Sequence, residues 1–205
     1  MFDWRASTNV SAVDVYWPVP ERLNLLGFET YGYSSDVLLP MSVAVADPGK
    51  PVELRLRANY AICSGEICTY HDELFAVRLP AGAAKRSAHA RLIEAFSERV
   101  PKTGDAGLRI VGVIAMGSGK NCIMEVMAAS EAGLSSPDVI VEGPADFFFG
   151  TPKTELSDGG RTARLVLPVA CYGGGVPLAG VAVTLTLVDG ARAVEAKIVI
   201  GSPRE

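Results

Sequence analysis

The sequence has no apolar run near the roughly 18 to 20 residues that a helix needs to cross a bilayer. Its longest candidates, such as VAVTLTLV at 181–188, stop at strand length. It has no cluster of Lys and Arg interleaved with aromatics, and a net charge of −4 leaves no basic footprint, which excludes nucleic acid as a partner. The N-terminus MFDWRASTNV lacks a charged region followed by an apolar one, so no secretory leader is visible. The expectation is a leader already removed, or a chain that starts inside a longer protein. Cysteine is sparse, at four residues. An even count with one close pair is compatible with an oxidising compartment.

What the sequence does have is a hydrophobic fraction of 49%, with 21 Gly and 13 Pro spread along its length. That composition excludes disorder and suits many turns between short strands. Residues 10–17 (VSAVDVYW) alternate, and Pro18 and Pro20 end the run. The aromatic, Gly-containing stretch 28–33 (FETYGY) reads as a shaped loop between two strand candidates. After the turn Asp47-Pro48-Gly49-Lys50, VELRLRANYAI alternates and runs straight into Cys63. Beyond Cys68, ELFAVRLP resumes the period of two, which predicts a hairpin centred on SGEI.

Residues 83–100 are predicted as a helix, because Leu92, Ile93, Phe96 and Val100 fall on one stripe and Pro101 stops it. PKTGDAG at 101–107 reads as a boundary. From Leu108 onward come seven strand candidates: LRIVGVIAM, NCIMEVMAAS, DVIVEG, ADFFFG, TARLVLPVACY, GVAVTLTLVD and ARAVEAKIVI. The predicted class is mainly β, with two immunoglobulin-like β-sandwich domains at 1–101 and 107–205 joined by one helix. The first is expected to lack upstream strands.

The strongest chemical signal is CSGEIC, with Cys63 and Cys68 at the ends of two strands joined by a short turn. Opposed residues of a hairpin have Cβ atoms about 4.5 to 5.5 Å apart, close to disulfide geometry. Closing so short a loop contributes only about 2 kcal/mol. A bond that staples so little is better suited to opening, which favours a redox pair over a structural bridge or over free or metal-binding thiols. His71 follows three residues after Cys68, and CxxxxCxxH has the soft donors that suit Cu(I); a solvated loop histidine is the blander reading. Near the pair, a protonated His71 would lower a thiol pKa, while Glu66, Asp72 and Glu73 would raise it. His89 reads as solvated. Cys122 and Cys171 lie in two apolar strand candidates. A bridge between them would close a loop worth about 4 kcal/mol; the alternative is two buried thiols acting as small hydrophobes. The stretch GSGK at 117–120 is no phosphate loop, since Ile114 and Asn121 stand where Gly and Ser or Thr are needed.

WPVPERL, then FETYGYSSDVLLP, then a strand into a close cysteine pair, then LFAVRLP and a helix ending in VP together resemble the N-terminal periplasmic region of the DsbD family of thiol:disulfide interchange proteins. The likeness is to the ScsB-type branch, associated with copper tolerance. SPDVIVEGPADFFFGTP and LAGVAVTLTLVDGARAVE resemble that branch's second immunoglobulin-like domain. The resemblance implies a periplasmic protein-disulfide reductase module without a dissociable cofactor. Cys63 and Cys68 would take electrons from a membrane-embedded redox domain of the same or a companion chain and pass them to periplasmic thioredoxin-like proteins. Cys68 would form the mixed disulfide. It also implies an aromatic cap over the pair at Phe28, Tyr31 and Tyr33, although Thr30 stands where the family has an aromatic and Thr69-Tyr70 where it commonly has Pro. The rival reading is a non-catalytic module that binds copper or a partner through the same loop.

Overall fold

The computed structural model describes residues 1–25, 27–65, 67–104, 106–116, 122–171 and 177–202. The chain divides into two compact units, Met1–Glu98 and Arg99–Glu205. Both are built from strands, as the mainly β reading expects.

In the first unit, β1 (Phe2–Asp3), β6 (Val52–Ser64) and β7 (Ile67–Leu79) form one antiparallel sheet in the order β1-β6-β7. Two ribbons accompany it: β2 (Val10–Val15) with β5 (Met41–Val45), and β3 (Glu21–Leu25) with β4 (Phe28–Gly32). Val52 and Ala58 are buried, whereas Leu74 and Phe75 are 79% and 52% exposed.

The unit's last element is α1 (Ala90–Ser97), shorter than the predicted 83–100. The apolar stripe that would hold a helix against a neighbour begins only at Leu92, and 83–89 contribute no large apolar residue to it. At the other end Val100 precedes Pro101, and a residue before proline is disfavoured in helical geometry. His89 occupies the N-cap position.

The second unit is a two-sheet sandwich. One sheet has the order β12-β14-β10-β9, with β13 also paired to β14; the other has the order β11-β15-β16-β8. Their ranges are β8 (Lys102–Thr103), β9 (Arg109–Met116), β10 (Cys122–Ala129), β11 (Asp138–Glu142), β12 (Phe147–Phe149), β13 (Lys153–Ser157), β14 (Thr162–Cys171), β15 (Ala182–Asp189) and β16 (Arg192–Val199). Met124 pairs with Leu167 and Val126 with Leu165 on the first sheet. Their side chains share one buried cluster with Val139, Leu185, Leu187 and Val194 of the second sheet. Alternation on both sheets thus turns one face of each into a common core.

Two of these strands were not among the seven predicted. β13 is exposed along its whole length, so it carries no inward apolar set to reveal it, and β8 falls inside the stretch read as a boundary.

Asp189 and Arg192, at the two ends of the β15–β16 turn, fasten this sandwich. The carboxylate is 4% exposed and accepts the backbone N–H groups of Ser135 and Ser136 at 3.0 and 2.8 Å. Arg192 pairs with the same carboxylate and donates to the Ser130 hydroxyl at 2.9 Å and the Gly133 carbonyl at 2.6 Å. Burial pushes the Asp189 carboxyl up, but the hydrogen bonds from Ser136, Ser135 and Arg192 outweigh it and hold the group below its ordinary value.

Candidate functional site: a disulfide at a hairpin tip

β6 and β7 pair residue for residue from Val52 opposite Leu79 to Ser64 opposite Ile67, with no bulge. The sequence dictates this ribbon. Val52, Leu54, Leu56, Ala58, Tyr60 and Ile62 lie on one face with Phe75, Val77 and Leu79, while Glu53, Arg55 and Arg57 lie on the other. The turn requires Gly65, whose φ of 59° lies in the left-handed region. A Cβ there would meet no atom within 4 Å, so the requirement is conformational rather than steric. Glu66 lies outside the described residues.

This register puts Cys63 directly opposite Cys68. The two are joined by a disulfide, their Cα atoms 4.0 Å apart. Both residues are half-buried. Around them the ribbon tip is open, with Ile67 73% and Tyr70 85% exposed.

The two faces of the ribbon separate the nearby polar groups. Counting along the strands, the cysteines share a face with Arg57, Asn59, Tyr70 and Asp72, whereas Tyr60 and His71 point to the other. His71 stacks on Tyr60, ring centroids 5.1 Å apart and planes at 13°. The CxxxxCxxH spacing therefore does not converge: His71 lies an odd step of three positions from Cys68 along the strand, which turns it away from the sulfurs. Among the described residues no three His, Cys, Asp or Glu side chains group to hold a metal.

Asp72 does lie on the cysteine face, but its charge is engaged. Arg57 Nε donates to Oδ1 at 2.8 Å, and that hydrogen bond holds the carboxyl below its ordinary value. Its effect on a thiolate is offset by the adjacent guanidinium. This pair was missed in the sequence, though it was legible: once the hairpin is centred on SGEI, Arg57 and Asp72 fall at diagonal positions of one face.

The aromatic stretch 28–33 is not a loop. Phe28–Gly32 is a strand that pairs with Glu21–Leu25, with Gly27 at φ 79° in the connection. Short alternating β-formers on both sides of a glycine closed into a hairpin. Tyr31 stands opposite Arg22, whose guanidinium lies 5.1 Å from the ring centroid, and Arg22 also pairs with Glu29. Tyr33 donates its hydroxyl to the Pro18 carbonyl at 2.7 Å, and burial raises its pKa. These contacts tie the tyrosines to their own hairpin and to Pro18, and none of them involves a sulfur. The Phe28 side chain lies outside the described residues, as does the 117–120 stretch.

In the second unit Cys122 opens β10 and Cys171 closes β14, which pairs with it.

Residues 1–80 match the family described as thiol:disulfide interchange protein DsbD, N-terminal. Residues 99–203 match a domain of unknown function, DUF8393. Among solved structures the chain is similar to the N-terminal periplasmic domain of ScsB from Proteus mirabilis, at 18% identity and a TM-score of 0.73. The match covers 99% of this chain and 77% of that one; at that identity it speaks for the fold. No curated protein matches the chain.

Proposed function

From a chain that belongs to the DUF8393 family through its second unit and whose residues 1–80 are of the DsbD N-terminal kind, we propose that the protein is a thiol:disulfide interchange module. Its redox centre is Cys63–Cys68. The observation that carries this reading is a disulfide across directly opposed positions at the open tip of a ribbon, where it closes a loop too short to contribute much to stability.

In the reduced form, the Cys68 thiolate attacks a partner's disulfide, forming a Cys68–partner bond and releasing one partner thiolate. Cys63 then loses its proton and attacks Cys68 Sγ, releasing the second partner thiolate and restoring the bond seen here. Two electrons and two protons pass to the partner. The exposed Tyr70, on the cysteine face, gives the partner apolar surface to rest on beside the sulfurs. A membrane-embedded dithiol, in the same or a companion chain, reverses the process and reloads the pair. Thioredoxin-like proteins of the periplasm are the acceptors, and copper tolerance is the setting in which the relay serves. The hairpin of Tyr31 and Tyr33 limits access to the reduced pair. Among the described residues no helix is long and apolar enough to cross a membrane, which fits a module lying outside the bilayer.

The test is a trapping experiment on the full chain. With Cys63→Ser, the remaining Cys68 should hold a thioredoxin-like partner as a stable mixed disulfide, because no neighbour resolves it. Cys68→Ser should trap little. Equal trapping by both variants, or by neither, would overturn the assignment of roles.

A further inference from the structure

The second unit carries its own pair of cysteines, and their placement gives this domain of unknown function a chemistry. Cys122 stands opposite Val169, and Cys171 is two residues further along β14. Alternation puts all three on one face of the sheet. That face is the inner one: Cys122 and Val169 are 7% and 3% exposed, and Cys171 packs against the same buried cluster. On its other side Cys171 stands opposite Phe147 of β12, which is also buried.

Diagonal neighbours in a regular ladder have Cα atoms about 7 to 8 Å apart and Cβ atoms somewhat closer. Here both residues stand as thiols at that diagonal of the ladder. Burial above all, and then the hydrogen bond with Cys122, push the Cys171 thiol above its ordinary value of 9.0. A thiol held above its ordinary value is mostly protonated near neutral pH, so the site reacts slowly. Cys171 is the more accessible of the two, at the rim of the core.

We propose that Cys122 and Cys171 are a second oxidation site, which a small disulfide such as oxidised glutathione converts into a bridge between β10 and β14. Cys171 loses its proton and attacks glutathione disulfide, giving a Cys171–glutathione bond and one glutathione thiolate. Cys122 loses its proton and attacks Cys171 Sγ, expelling the second glutathione. The protein gives up two electrons and two protons, and one glutathione disulfide becomes two thiols. The bridge spans a long stretch of sequence, so it stabilises the sandwich where the Cys63–Cys68 bond does little for its unit.

The site is independent of the first pair, and the experiment keeps them apart. The fully reduced full chain is exposed to oxidised glutathione, alkylated, and digested without reductant for mass mapping. A peptide joining Cys122 to Cys171 is expected, forming roughly ten times faster at pH 8 than at pH 7, as thiolate formation dictates. The melting transition of the second unit should rise by about 20 °C, roughly twice the shift expected for the Cys63–Cys68 bond. The same bridge should form in Cys63→Ser/Cys68→Ser, which removes the first pair and leaves this test intact. The proposal is overturned if both cysteines remain alkylatable after denaturation, if glutathione stays on either one without bridging, or if the link forms only to Cys63 or Cys68.

Discussion

Replacing Cys63 and Cys68 together by Ala should leave the first unit folded. The bond closes six residues from Cys63 to Cys68, and a cross-link over so short a loop removes only about 2 kcal/mol of chain entropy from the unfolded state. The ribbon does not depend on it. Thirteen residue pairs connect β6 to β7, and the two-residue turn is set by Gly65 rather than by the sulfurs. At roughly 4 to 8 °C per kcal/mol for a unit of this size, the melting transition should fall by about 10 °C and keep its cooperativity. Circular dichroism melts of the variant and parent, with proteolysis of the native proteins followed at residues 52–79, provide the measurement. Loss of the first unit's transition, or ready cleavage within the ribbon under native conditions, would show the bond to be a staple and remove the main argument for its opening in function.

Other outcomes follow from the same geometry. Asp189→Asn should destabilise the second unit by about 2 to 3 kcal/mol in urea, since it leaves Arg192 without its buried counter-charge. The folded carboxyl sits below its ordinary 3.8, so its contribution is present above that value and is lost as pH falls through the lower folded pKa; acid unfolding of the variant should lack this component. Gly65→Ala should cost the ribbon about 1 kcal/mol through its positive φ alone, read from the melt of the first unit. Tyr31→Ala with Tyr33→Ala should speed alkylation of the reduced pair without moving its pKa, and an unchanged rate would mean that the hairpin does not shield the thiols. Residues 99–205 expressed alone should melt cooperatively, because their buried cluster draws on both sheets of that unit.

The hairpin that carries the disulfide was legible because its information is local. Alternation on both sides of SGEI sets the register, and the register alone puts Cys63 opposite Cys68. The same counting, carried three residues further, would have turned His71 away from the sulfurs; reading CxxxxCxxH as a linear motif ignored the period of the strand. The second sandwich was legible for a related reason, since Met124, Val126, Leu165 and Leu167 alternate with more exposed neighbours. β13 was not, because an exposed edge strand such as KTELS has no apolar period. The residues 28–33 misled by composition, as a glycine beside aromatics suits a loop and a hairpin arm equally. The Asp189–Arg192 clamp could not be read at all. Its partners at Ser130, Gly133, Ser135 and Ser136 lie more than fifty residues away, and nothing local marks an Asp before a Gly as more than a turn residue.

The most direct test of the central claim is to titrate the full chain against glutathione buffers of defined ratio, with the oxidation state of each cysteine read by mass mapping. The account predicts that Cys63 and Cys68 open and close together, reversibly and without unfolding, while the second unit's cysteines change separately and more slowly. A Cys63–Cys68 bond that stays closed until the protein is denatured would contradict it.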